Sequence, residues 1–437
     1  MQNSKLIFWS ITVGLGGFLF GLDTAVISGA EQDIQQLWNL DSWSHGLAVA
    51  MALYGTVLGA AFGGIPADKI GRKQTLLWIG VLFFVSSLGA AIANDVNTFM
   101  FFRLIGGLSI GASSVVAPVY ISEIAPPKYR GRMVISFQVN IVLGILIAYV
   151  SNYLLEGGAN DWRWMLGIVA IPSLLFSVLM LFTPETPRWL LLYKKDEAAA
   201  RKVLAITDPA VDTAVQEILK STENDQKGEK EPFFSKKYSV PIILAFLFAF
   251  FNQLSGINAV IYYAPRIFEM TGLGKESALL STAGVGVVNL LFTVLGWSLI
   301  DRFGRRILMY IGSVGYIVSL GLIAMAFFNQ SYANVPLFVF AFIASHAIGQ
   351  GSVIWVFISE IFPNSVRASG MSWGSLTHWV FAALIANVFP FFATQLGGGP
   401  IFAFFSAMMV FQLLYVWRMM PETKGVSLEE LQKRLIK

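Results

Sequence analysis

The sequence predicts an all-α membrane protein: twelve transmembrane helices in two pseudo-symmetric six-helix bundles, with short cytoplasmic linker helices. Of its 437 residues, 56% are hydrophobic and only 13% charged, and the mean hydropathy of +0.66 lies outside the range of ordinary soluble domains. Apolar stretches of about 20 residues, enough to cross roughly 30 Å of hydrocarbon as helix, recur along nearly the whole chain. Three short motifs each return once, at offsets of about 235 residues, as a duplicated unit would.

The spans, numbered in chain order, fall near residues 6–30, 45–67, 75–94, 98–122, 133–155, 162–183, 239–264, 277–300, 307–328, 335–361, 369–394 and 399–419. Span 1 is too long for a signal peptide and lacks a small-residue cleavage pattern, so it is expected to remain in the mature protein. Glycine and proline are frequent within the spans, as membrane helices tolerate. Lys69, Arg72, Lys73, Lys128, Arg130, Arg132, Arg302, Arg305, Arg306 and Arg367 all fall in alternate loops, on the side shared by both termini. The other loops hold little beyond Arg163, Arg266 and Lys275. Because short loops rich in Lys and Arg stay in the cytoplasm, both termini are expected inside.

The longest polar stretch begins at Arg188, mixes both charge signs with helix formers, and divides the spans six and six. The expected organisation is an N-terminal bundle over 1–187, a cytoplasmic helical linker over 188–237, a C-terminal bundle over 238–420 and a cytoplasmic tail over 421–437. The formal charge of +4 follows from the basic cytoplasmic loops and supplies no reason to expect nucleic acid as a partner. Zero cysteines exclude disulfide and thiol chemistry. With three histidines, no HExxH spacing and no Walker-type glycine loop, no metal, cofactor or ATP is expected, and an enzyme is the least favoured class.

The echoed motifs are DKIGRK at 68–73 with DRFGRR at 301–306, YISEIAPPKYRG at 120–131 with FISEIFPNSVRASG at 357–370, and PETPR at 184–188 with PETKG at 421–425. Read plainly, they are basic loops that set topology. Their acids and bases also fit a cytoplasmic gate made of Asp68, Arg72, Glu123, Arg130, Glu185, Arg188, Arg305, Glu360, Arg367 and Glu422. Glu123 and Glu360 sit at cytoplasmic helix ends, each seven residues before an arginine. They are expected to pair with loop arginines only when the inner faces of the two bundles meet, latching an outward-open state.

With QLSGINAVIYY at 253–263, these motifs resemble those of the sugar porter family of the major facilitator superfamily, and the resemblance covers essentially the whole chain. It implies a twelve-helix carrier that binds a monosaccharide near the midplane and rocks about it. The short loops suggest a bacterial cell (inner) membrane, and the carrier is expected to function as a monomer.

Asp23, in FLFGLDTAVISG, is a carboxylate inside an apolar span, where insertion costs roughly 3 kcal/mol. Taking span 1 to end near residue 30, Asp23 lies about seven residues, roughly 10 Å, below the outer boundary, and Arg103 on span 4 lies at a similar depth. A neighbouring guanidinium favours the charged carboxylate and desolvation the neutral one, so rearranging the pair would load and unload a proton. The alternative is a static ion pair tying span 1 to span 4. The resemblance implies proton symport, since proton-coupled sugar porters have an aspartate and an arginine at the matching places and passive animal facilitators a neutral residue at the former.

Amides suit sugar hydroxyls because they both donate and accept, and an indole suits the C–H face of the ring. Gln138, Gln253, Asn258 and Asn289 lie inside apolar spans and Trp355 on span 10; the resemblance puts all five at sugar-contacting positions. Singly, each could as well be an interhelical hydrogen bond or a packed aromatic. Asn252 replaces the glutamine of many relatives, and Ile145 the glutamine of some bacterial xylose carriers, which weighs against a pentose. His346 and His378 are either bridging polar groups or cavity residues like the histidines of fructose-carrying animal facilitators, although Trp355 matches glucose carriers. The expected cargo is thus a hexose, fructose slightly before glucose. Tyr262 and Tyr263 either close the outer side or anchor the helix at the interface. The competing readings are a proton-independent sugar uniporter, a drug or organic-anion antiporter and a non-transporting sugar sensor.

Overall fold

The computed structural model describes residues 2–126, 130–207, 210–227, 232–363, 365–426 and 428–436, without the side chains of residues 2, 3, 130–132, 134, 135, 221–227, 428, 429 and 432. Among the described residues, twelve helices are long and apolar enough to cross a membrane: Ser4–Leu37, Ser42–Phe62, Arg72–Ile92, Val96–Ile124, Ser136–Leu155, Asp161–Leu181, Lys236–Glu269, Lys275–Phe303, Arg305–Phe328, Val335–Ile361, Arg367–Leu396 and Gly398–Arg418. They keep the span numbers 1 to 12.

Contacts group these residues into two compact units. One comprises Met1–Thr24, Tyr54–Ile145 and Leu166–Lys230; the other Ala25–Leu53, Leu146–Met165 and Glu231–Lys437. The second unit therefore contains, beside spans 7 to 12, the ends of spans 1, 2, 5 and 6 remote from the basic loops.

In the first unit, small residues let spans 1 and 5 touch backbone to backbone. A Cβ on Gly21 would come within 1.8 Å of the Ile141 carbonyl oxygen, and one on Gly144 within 2.2 Å of that of Phe18. Asp95 caps span 4, accepting from Thr98 N at 2.9 Å and Thr98 Oγ1 at 2.7 Å. The polar stretch after span 6 carries the helices Glu197–Thr207 and Val211–Lys227. In the second unit, span 7 is broken into Ser239–Leu254 and Ile257–Glu269.

Span 1 corrects an expectation. It runs to Leu37, beyond residue 30, because the polar tail EQDIQQL continues the helix and finds partners for its charges. Asp23 lies fourteen residues before that end, about 21 Å at 1.5 Å per residue, and so near the middle of the span.

Candidate functional site

Asp23 and Arg103 are 2% and 1% exposed. Arg103 Nη1 donates to Asp23 Oδ1 at 3.1 Å and Nη2 to the Asp23 backbone carbonyl at 3.3 Å. Asp23 Oδ2 is buried without a hydrogen-bond partner among the described residues. The carboxylate is thus half-satisfied. One oxygen is held by the cation while the other retains a lone pair in an apolar setting, where an unmade hydrogen bond is costly.

The break in span 7 builds a second polar centre. Gly256 has φ of +81°, a left-handed conformation that costs an L-residue about 1–2 kcal/mol. Ser255 Oγ donates to the Asn252 carbonyl at 2.6 Å and accepts from Ile257 N at 3.3 Å, bridging the interrupted backbone. Asn258 Nδ2 consequently reaches Gln253 Oε1 at 2.8 Å, although the residues are five apart. Gln253 Nε2 donates to Asn252 Oδ1 at 3.0 Å and lies 3.2 Å from both ring nitrogens of His378 on span 11. Equidistant from the two nitrogens, it sits over the imidazole face. Trp355 on span 10 packs against the same imidazole, centroids 5.2 Å apart.

The structure thus joins Asn252, Gln253, Asn258, His378 and Trp355 in one unit. Asn289, 6% exposed on span 8, accepts from Thr293 Oγ1 at 3.4 Å and makes no hydrogen bond to that network. His346 is engaged through Nδ1 with the Tyr316 hydroxyl, as a bridging polar group would be. Gln138 belongs to the other unit and is partly exposed. Tyr262 and Tyr263 are both completely buried, which removes the interfacial-anchor reading; Tyr263 Oη donates to the Ala386 carbonyl at 2.8 Å.

The echoed motifs form the same local structure twice. Gly71 and Gly304, at φ +100° and +91°, precede spans 3 and 9. Glu185 then accepts from the backbone N–H groups of Arg72 and Lys73, and Glu422 from those of Arg305 and Arg306, so each PET glutamate caps a helix N-terminus. Arg72 Nε lies 3.2 Å from Glu123 and its Nη2 3.1 Å from Asp68; Arg305 Nη2 lies 2.7 Å from Glu360 and its Nη1 3.2 Å from Asp301. Thr186 and Thr423 hydroxyls donate to Glu123 and Glu360.

This overturns one expectation about the gate. Glu123 and Glu360 each hold an arginine of their own unit, so their pairing does not await the meeting of inner faces. The capped starts of spans 3 and 9 hold Arg72 between Asp68 and the Glu123 end of span 4, and Arg305 between Asp301 and the Glu360 end of span 10. Arg188 lies close enough to Glu123 to act on it electrostatically. Arg367 donates to the Phe362 carbonyl at 3.4 Å and forms no ion pair with Glu360. The side chain of Arg130 lies outside the described residues.

The two caps differ in charge balance. Burial pushes Glu185 above the ordinary 4.5 and outweighs its backbone donors. At Glu422 burial also pushes upward, but donors from Lys424, Arg306, Arg305 and Thr423 outweigh it, leaving the group below 4.5. Glu422 therefore contributes stability that is present above pH 4.5 and lost as pH falls through its lowered value. Glu185 contributes stability that is present below 4.5 and lost as pH rises through its raised value. Thermal unfolding at pH 7 is expected to show a larger loss for Glu422→Gln than for Glu185→Gln, the gap closing toward pH 4.

At the opposite helix ends lies a cluster that sequence reasoning missed. Glu31 on span 1 and His45 on span 2 are both 0% exposed. Arg266 on span 7 grips Glu31 with Nε at 2.9 Å and Nη2 at 2.8 Å, and donates to Gln35 Oε1 at 2.6 Å. Ending span 1 at residue 30 left Glu31 outside the membrane and Arg266 as a loop cation. The available signal was the apolar run preceding Arg266 together with helix formers continuing after residue 30.

Twelve membrane-length helices built as a repeated half, carrying a buried acid–guanidinium pair and an amide-lined helix break, define a multi-pass membrane protein of the secondary-carrier class. The family profile described as "Sugar (and other) transporter" matches residues 9–435. The chain is 35% identical to the arabinose-proton symporter of Bacillus subtilis (strain 168), covering 99% of this chain and 95% of that one. It is 34% identical to the glucose transporter GlcP of Staphylococcus epidermidis, covering 99% and 97%. Its structure matches the inward-open conformation of the xylose transporter XylE from E. coli at a TM-score of 0.87 and 33% identity, over 99% of this chain and 100% of XylE. The chain belongs to the sugar porter family of the major facilitator superfamily, and its fold is the major facilitator fold.

Proposed function

We propose that the chain imports a neutral monosaccharide together with protons, by alternating access. The observation that carries this reading is the Asp23–Arg103 pair, buried in mid-span with one carboxylate oxygen unpartnered. A proton arriving on Oδ2 would neutralise Asp23 and free Arg103 to take other partners. Loss of the proton would restore the pair. This gives the bundle two charge arrangements whose balance a sugar can shift. The name of the Bacillus relative supports coupling to protons.

The sugar-binding residues proposed are Asn252, Gln253, Asn258, His378 and Trp355, with Gln138, Asn289 and His346. Within the neutral sugars we favour a hexose. Fructose before glucose now rests on His378 alone, since His346 is engaged by Tyr316. The three relatives named above carry arabinose, glucose and xylose in their descriptions. The basic loops are proposed to face the cytoplasm, with both termini inside, Asp68, Arg72, Glu123, Arg130, Glu185, Arg188, Arg305, Glu360, Arg367 and Glu422 forming the inner gate. The protein is proposed to function as a monomer in the cell membrane.

Uptake into proteoliposomes decides the matter. An inward proton gradient of one pH unit is expected to drive sugar to about tenfold accumulation at one proton per sugar. Uptake that only equilibrates, with or without the gradient, would establish a uniporter. Competition of labelled fructose by a panel of hexoses and pentoses tests the sugar; stronger displacement by glucose, arabinose or xylose would overturn the fructose assignment.

A further inference from the structure

The cluster at the helix ends remote from the basic loops contains an imidazole with one nitrogen left over. His45 Nε2 lies 2.7 Å from Glu31 Oε2 and 3.1 Å from the Glu31 backbone carbonyl oxygen. Both neighbours only accept, so Nε2 carries a hydrogen. The other nitrogen, Nδ1, is buried with no hydrogen-bond partner among the described residues. In neutral His45 it holds a lone pair.

The surroundings supply the charge balance. Glu31 is shared between His45 and the fork of Arg266. From span 7, Tyr263 sets its ring edge-on to His45, centroids 6.0 Å apart, and Glu269 acts on both Glu31 and Arg266. Beyond them Lys275 pairs with Asp33 at 3.2 Å, with Glu156 and Asp161 each 4.0 Å away. Span 11 approaches span 2 through the Asn387 carbonyl, against which Gly46 is pressed so closely that a Cβ would fall within 1.9 Å.

We propose that His45 is a second proton-binding site, filled from the external water when the outer end of the protein opens. The proposal rests on the orientation given under the proposed function. Opening would separate span 7 from spans 1 and 2, carrying Arg266 away from Glu31. His45 would stay with Glu31, because both belong to the first two spans. The stranded carboxylate then needs a cation, and Nδ1, newly wetted, takes the proton that supplies it. Closure returns Arg266, places two cations on one carboxylate and expels the proton. A state that binds more protons is favoured by acid, so low external pH stabilises the open outer end.

The chain has no cysteine of its own, so Gln36→Cys and Ser277→Cys, both at exposed positions, can carry a pair of spin labels across the outer end. Distances are measured without sugar in the Asp23→Asn background, which removes the first proton site. The long-distance fraction is expected to rise several-fold between pH 8 and pH 5.5. His45→Gln keeps a donor toward Glu31 and is expected to give a flat profile. Glu31→Gln, which removes the charge needing compensation, is expected to be flat as well, and it serves should His45→Gln fail to fold. A flat profile before either change, or an undiminished slope in both variants, would overturn the second site. With proton-driven uptake intact, that outcome leaves symport standing; loss of coupled uptake with the distance response preserved sinks symport alone.

Discussion

Replacing Asp23 by asparagine is expected to leave sugar exchange between equal compartments within a few-fold of the parent rate while abolishing accumulation. The inside-to-outside ratio under an imposed proton gradient should fall to about one. Asparagine keeps the shape of the side chain and an oxygen for Arg103 Nη1, now 3.1 Å from Asp23 Oδ1. What it loses is the ability to hold a proton at one stage of the cycle and release it at another. Exchange needs only that the loaded carrier reorient; accumulation needs that its charge state change on the way. Arg103→Ala should behave differently. It strands a buried carboxylate, a change that costs about 3–5 kcal/mol, and is expected to lower both expression and thermal stability. Concentrative uptake by Asp23→Asn at the parent level would remove the aspartate from the coupling mechanism.

Substituting Gly256 by alanine is expected to lower the thermal transition and weaken sugar binding by tenfold or more. The backbone term is about 1–2 kcal/mol for an L-residue at positive φ. A Cβ would also meet the Phe405 ring at 2.5 Å, and overpacking of that kind typically adds about 1–3 kcal/mol. Relief by straightening the helix would turn Asn258 away from Gln253 and dismantle the amide cluster over His378. Gly256→Asn should be milder in its backbone cost, since asparagine tolerates the left-handed region, while meeting the same ring. Titration of sugar against tryptophan fluorescence, alongside a thermal melt, separates the two effects. An alanine variant that binds sugar as tightly as the parent would show that the break does not assemble the site.

Much of the fold was legible because the bilayer imposes a simple rule: a span must be apolar for about 20 residues. That rule found all twelve spans and, through the echoed motifs, the repeat. The acid–guanidinium pair was legible because a charge in hydrocarbon requires a partner, but the depth match that singled out Arg103 rested on ending span 1 at residue 30, whereas the helix runs to Leu37. The same rule misled at its edges. Glu31 and Asp33 ended the apolar run, yet the helix continues to Leu37 because Arg266 and Lys275 neutralise them. Likewise QLSGIN was recognisable as a sugar-porter motif, but that its serine and glycine break the helix, and so bring residues 253 and 258 together, is visible only in the backbone.

By itself the sequence determined that the chain is a duplicated twelve-span membrane protein, that Asp23 needs a cationic partner, and that amides and an indole occur within its apolar spans, because these follow from the residue pattern and the cost of polar groups in oil. Tertiary structure decided which partner each gate acid holds, that His346 Nδ1 meets the Tyr316 hydroxyl, and that Glu31, His45 and Arg266 meet. Those facts depend on how helices distant in the chain are rotated against one another, and hydropathy, which counts residues along a single helix, carries no record of rotation.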